Sequence, residues 1–231
     1  MFGEMRSITL YIVLLLFLQS CNSHKKDLSR ITFTEKYDTF FGDIPNDYKE
    51  NHSMIDYNLY DVYDTESEKA LYFNQVDLSG YRDKKGEFGT NHVSFEFSKK
   101  NKILQYYSMQ LFTNKKTSKL INVLNNKIGK PSYISMLDSN DTLPDAILWE
   151  DKTSFYLITG ATQNQIDFIV FNKQNKAIRE KLMSGSFQYY GDYLDYLEKN
   201  NLKIHVFSYK NFVDYKTKEG NNYYIEDYKK P

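Results

Sequence analysis

Val93-Ser94-Phe95-Glu96-Phe97-Ser98 alternates apolar and polar side chains, the period of two that gives a strand one buried face. A polar turn, Lys99-Lys100-Asn101-Lys102, separates it from a second β-prone run, Ile103 to Phe112, so the two are expected to pair as an antiparallel hairpin. The period then changes. Leu120, Ile121, Val123, Leu124 and Ile128 form one apolar stripe at helical spacing, with Thr117 as the expected cap and Gly129 and Pro131 as the stop. After a polar loop from Ser135 to Pro144, Ile147 to Trp149 and Phe155 to Thr159 flank a charged turn, and Ile166, Phe168 and Val170 define a further strand. Hairpin, helix and three-strand meander predict an α+β fold: a mainly antiparallel β-sheet with a few packed helices, the stripe of the central helix lying on a sheet face.

Outward from this centre the pattern weakens. Met54 to Tyr63 and Leu71 to Leu78 predict a hairpin turned at Asp64 to Lys69, and Tyr81 to Thr90 reads as a loop. Ile31 to Lys49 shows no clear period. Towards the carboxyl end, Asn175 to Met183 predicts a short helix, Asp192 is placed to cap another that ends near Asn200-Asn201, and Ile204 to Tyr209 resembles a strand. Residues 31–215 are therefore expected to form the globular domain, with 31–90 as an alternative small β subdomain and 216–231 as a polar tail.

Thirty basic and thirty acidic residues cancel. With no basic stripe interleaved with aromatics, the composition argues against a nucleic-acid partner. Twenty-one Tyr and 16 Phe against 10 Gly and 4 Pro describe a β-rich globular chain and not a low-complexity surface.

The amino-terminal segment carries Arg6, an apolar run from Ile8 to Leu18, and Leu18-Gln19-Ser20-Cys21, which ends in the only cysteine of the chain. These parts are those of an export signal. The segment resembles the signal peptide of bacterial lipoproteins: Leu18 and Ser20 match the lipobox, and Gln19 departs from its usual small or β-branched residue. Met5 offers an alternative initiator. The resemblance implies that residues 1–20 are removed, that Cys21 is diacylated at sulfur, and that the protein is held on a membrane of the bacterial cell envelope. Asn22, where inner-membrane lipoproteins often carry aspartate, favours the outer membrane of a two-membrane host. The run is about half the roughly 20 apolar residues needed to cross a bilayer as a helix. Residues 21–30 are expected to be the lipidated cysteine and a polar tether. A lipidated Cys21 leaves no thiol for disulfides, zinc sites or nucleophilic catalysis.

Motifs with chemistry are sparse. His24, His52, His92 and His205 share no metal-ligand spacing. Asp138-Ser139-Asn140-Asp141-Thr142 resembles the start of a calcium loop, but in that register the required glycine is Leu143 and the terminal glutamate is Trp149. Asp61, Asp64, Glu66 and Glu68 form an acidic cluster expected at a solvated turn. Ser184-Gly185-Ser186 lacks the first glycine of a nucleophile elbow, and Gly86-Glu87-Phe88-Gly89 lacks the ending of a phosphate loop. No catalytic, cofactor or metal residue is assigned. The pairs Tyr106-Tyr107, Tyr189-Tyr190 and Tyr223-Tyr224 suit either the core or a recognition surface, and Trp149 suits a core anchor. The expected activity is binding: a recognition or structural module that contacts an envelope protein, with an immunity-type inhibitor and an envelope hydrolase as alternatives.

Overall fold

The computed structural model describes residues 25–84, 87–136, 144–160 and 165–224. Among the described residues eight strands form one antiparallel sheet, in the order Asp47–Lys49 (β1), Tyr60–Thr65 (β2), His92–Ser98 (β7), Leu104–Leu111 (β8), Ile166–Asn172 (β12), Ser154–Thr159 (β11), Ala146–Glu150 (β10) and Tyr133–Ser135 (β9). The chain enters through a 3-10 turn at Leu28–Arg30 and a short helix α1 (Tyr37–Phe40), then makes edge strand β1 (Asp47–Lys49) and β2 (Tyr60–Thr65). Two hairpins follow outside the main sheet: β3 (Tyr72–Phe73) with β4 (Val76–Asp77), and β5 (Tyr81–Lys84) with β6 (Glu87–Thr90). Strands β7 (His92–Ser98) and β8 (Leu104–Leu111) form the central hairpin.

Helix α2 (Asn114–Ile128) then crosses one face and delivers the chain to the opposite edge. There β9 (Tyr133–Ser135), β10 (Ala146–Glu150), β11 (Ser154–Thr159) and β12 (Ile166–Asn172) meander back until β12 pairs with β8. Helices α3 (Lys176–Leu182), α4 (Gln188–Lys199) and α5 (Tyr209–Lys218) cover the other face. The expected hairpin, helix and meander are therefore present, in an α+β fold.

Both sheet faces are buried along its centre, which explains why β10 to β12 read as nearly continuous apolar runs. Phe95, Tyr107, Phe168, Tyr156 and Trp149 face α2 and the amino-terminal segment, where Leu120 and Leu124 close the layer. Tyr106, Phe171, Phe155 and Leu148 face the carboxyl-terminal helices, where Tyr190, Tyr193 and Phe212 close theirs. Tyr106 and Tyr107 thus both lie in core, one on each side. Trp149 is fully buried and donates from Nε1 to Asn125 Oδ1 at 3.1 Å, as expected of an indole anchor whose N–H needs a partner.

Several boundaries differ from the sequence expectations. Helix α2 is capped at Thr113 and not at Thr117, and it stops at Gly129, whose φ of 106° suits only glycine. Met54 to Tyr63 does not pair with Leu71 to Leu78: β2 joins β1 and β7, while Tyr72–Asp77 folds on itself about Asn74 and Gln75. Both turn residues have positive φ, the geometry of a two-residue turn that matches strand twist. Tyr81 to Thr90, read as a loop, contributes the β5–β6 hairpin. Part of the Ser135–Pro144 loop is strand β9, because Tyr133 and Ser135 bury inward against β10.

The carboxyl-terminal end is also better packed than its polar composition suggested. Helix α4 begins at Gln188, so Asp192 lies inside it; Ile204 to Phe207 is a turn, and Tyr209 is already the first residue of α5. Ser208 caps α5 with a reciprocal capping box through Asn211. The helix runs into the expected tail, and Tyr224 packs its ring 4.9 Å from Phe212 and donates to Asp192 Oδ2 at 2.9 Å.

The largest departure is at the start. Residues 25–30 are not a free tether: Leu28 is buried, Lys26 N donates to Lys69 O at 2.7 Å, and Asp27 Oδ1 accepts from Asn74 N at 2.7 Å. Residues 31–90 also share their core with the main sheet. Phe40, Phe41 and Phe73 lie in the same cluster as Phe95 and Phe168.

Candidate binding surface

Edge strand β1 and its connection to β2 form the most distinctive surface. Four of the ten large hydrophobic side chains exposed among the described residues lie there: Tyr48, Met54, Tyr57 and Leu59, each more than half exposed. Among the described residues strand β1 occupies one end of the sheet and pairs with β2 alone, the position at which a sheet can add a further chain.

The connecting segment is held in place by the sheet beneath it. Ser53 Oγ donates to Glu96 Oε2 at 2.6 Å and accepts from Asp56 N at 3.1 Å. Lys99 supports the far end of the segment, its Nζ reaching Tyr57 O at 2.8 Å and its backbone N reaching Leu59 O at 2.8 Å. Ile55 turns inward against the carboxyl-terminal core. The exposed Met54, Tyr57 and Leu59 are therefore carried on a fixed scaffold, which lowers the ordering cost of binding.

Glu96 is the least expected member. The alternation Phe95-Glu96-Phe97 placed it on the solvent side of a one-faced strand, yet it is 2% exposed. Its neighbours across the sheet are Val62 and Tyr106. Burial raises its pKa above the ordinary glutamate value, partly offset by Ser53, the Tyr106 hydroxyl and the Met54 N–H; the charge of Asp64 adds to the rise. Tyr106 Oη faces this carboxylate without the alignment of a direct hydrogen bond, and burial beside Glu96 holds the phenol strongly un-ionised. No sequence motif marks the arrangement. Its only trace was the Glu inside a strand pattern, which a solvent-facing position explains equally well.

The acidic cluster does not assemble. Asp61, on the opposite face of β2 from Asp64, is buried and bound by Lys102 Nζ at 2.6 Å, with the Tyr48 hydroxyl at 3.3 Å. Glu66 and Glu68 are exposed beyond the strand. Asp61 and Asp64 thus sit within a strand and not at a solvated turn. His52 and His205 are exposed on separate segments, while His92 opens β7 with a ring nitrogen 3.1 Å from Thr90 O. Among the described residues no group of three or more His, Cys, Asp or Glu is placed to hold a metal ion. Ser186 Oγ donates to Asp145 Oδ2 and Ser184 Oγ to Lys181 O. Cys21, His24 and the Asp138–Thr142 loop lie outside the described residues. Among the described residues, no helix is long and apolar enough to cross a membrane.

A second concavity of about 700 Å³ opens between the end of α2, β9 and the start of α5. Among the described residues its wall includes Asn125, Lys130, Tyr133, Ile134 and Tyr209, with no carboxylate or histidine. The chain matches no known protein family, no curated protein and no solved structure.

Proposed function

We propose that this chain is a lipid-anchored protein of the bacterial cell envelope that acts by binding another envelope protein through its β1 edge. One observation carries the binding part: Tyr48, Met54, Tyr57 and Leu59 are all exposed within residues 48–59, a stretch whose backbone is held by contacts to Glu96 and Lys99. Exposed apolar groups gathered in this way mark interaction sites, with aromatic and Met side chains the usual anchors. The anchor part rests on Leu18-Gln19-Ser20-Cys21 and the apolar run before it. Several acyl chains at about 0.8 kcal/mol per buried methylene would hold the protein on its membrane.

The test is affinity capture of the natively processed protein from envelope membranes, compared with a Met54→Asp/Leu59→Asp double variant. Both side chains are exposed, so the variant should fold. A stoichiometric partner retained by the parent and lost by the variant supports the reading. Equal capture by both, or no partner for either, contradicts it.

A further inference from the structure

In a chain with zero formal net charge, the outer side of α2 is one-signed. Lys115, Lys119 and Lys127 are exposed along it, Lys130 follows just after its end, and no Asp or Glu occurs from Asn114 to Met136. The apolar side of the helix is used up on the sheet through Leu120 and Leu124. The nearest acids are already engaged. Asp77 pairs with Lys116 at 3.3 Å, Asp27 binds Arg30 together with the Ser29 and Asn74 amides, and Asp151 accepts from Thr153, Ser154 and Tyr156.

The amino-terminal segment passes beside this helix at Ser29. Lys127 Nζ donates to Ser29 O at 2.8 Å, and its ammonium lies 5.6 Å from the centre of the Phe73 ring. The folded domain is in place from Lys25 onward, so only four residue steps separate it from Cys21. At full extension these reach about 14 Å. An anchor that short would hold the neighbouring surface close to the headgroups.

We propose that the outer face of α2 rests on an anionic lipid surface, with Lys115, Lys119 and Lys130 against headgroup phosphates. The inference rests on the lipid-anchor reading of Cys21 for its geometry, and on the charge of α2 for its chemistry. Acyl chains and a basic face would then act as two signals for one membrane. With α2 towards the lipid, α3, α4 and α5 on the other sheet face point away from it.

The experiment is lysine acetylation, followed residue by residue by mass spectrometry, on the natively processed protein with vesicles of phosphatidylcholine alone or mixed with phosphatidylglycerol. On the anionic vesicles Lys115, Lys119 and Lys130 are expected to react at least tenfold more slowly than on the neutral ones. Lys199 and Lys218, on the far helices, should be unchanged. Added salt should erase the difference. A Lys115→Gln/Lys119→Gln/Lys130→Gln variant, which leaves the Lys127 contacts intact, should reside on anionic vesicles at least about tenfold more weakly, given roughly fivefold per lysine at such a surface.

The intact mass reports acylation of Cys21 separately. An acylated protein with unprotected α2 lysines overturns the inference and keeps the anchor. An unacylated protein with protected lysines discards the anchor and keeps the basic face. An unacylated and unprotected protein overturns both.

Discussion

The hydroxyl of Ser53 donates to the buried carboxylate of Glu96 at 2.6 Å, across 43 positions of sequence. That one bond joins the exposed β1–β2 connection to the middle of the sheet and ties the proposed binding surface to a titratable group.

Glu96 sets a pH dependence of stability. Its folded-state pKa lies above that of an unfolded glutamate, chiefly through desolvation, so the native state binds the proton more tightly. Stability must then fall as pH rises from about 4.5 through the raised value. Glu96→Gln keeps an oxygen for Ser53 and removes the charge. Its denaturation midpoint is expected to exceed that of the parent at pH 7, with the difference shrinking towards pH 4.5. An undiminished difference at pH 4.5 would contradict the assignment.

Glu198 should act in the opposite direction. Hydrogen bonds from Lys176 and Arg179 hold its pKa down to about 2, so its contribution is present above about pH 4.5 and is lost as pH falls towards 2. The site is exposed, which makes the effect small and sensitive to salt. Glu198→Gln should flatten the acid limb of the stability curve at low ionic strength and change little in 1 M salt. Urea titrations at pH 2.5 and 6 measure it.

Asn91 is the polar staple of the region where β7 begins. It is fully buried, donates from Nδ2 to Leu78 O at 2.8 Å and to Thr113 Oγ1 at 3.0 Å, and accepts from Phe112 N at 2.7 Å. Asn91→Ala strands these groups in the interior. At roughly 1–3 kcal/mol for each buried group left unsatisfied, a loss of about 3 kcal/mol is expected in chemical denaturation. A loss below about 1 kcal/mol would show that the surroundings resatisfy themselves.

Cys21 is tested independently of the fold. Cys21→Ala should remove the acyl mass and leave the signal segment uncleaved, so the precursor migrates more slowly. Unchanged migration, with a mass that differs from the parent's by no more than the Cys-to-Ala exchange itself, would show that the cysteine is not lipidated.

The centre of the fold was legible because its periods are clean. Val93 to Ser98 alternates, Leu120 to Ile128 follows a helix stripe, and the runs in β10 to β12 are too apolar to be solvated. The edges were less so. Leu28 is a single apolar residue in a polar stretch and cannot announce by itself that the domain begins there. Ile204 to Tyr209 is β-prone in composition, yet the Ser208 cap and the α5 packing of Phe212 prevail.

The candidate surface left almost no trace in sequence. Exposure of Met54 and Leu59 and burial of Glu96 are settled by what crosses the sheet at β2, β7 and β8, which are long-range relationships. A strand pattern cannot tell a solvated face from one covered by a distant segment.

The most direct test of binding through the β1 edge is site-specific photocrosslinking in the host envelope, with a photoreactive residue placed singly at Tyr48, Tyr57, Lys152 or Lys199. Binding at the β1 edge predicts one discrete crosslinked protein from Tyr48 and Tyr57 and none from the other two positions. Crosslinking only from Lys152 or Lys199, or the same products from all four, would contradict it.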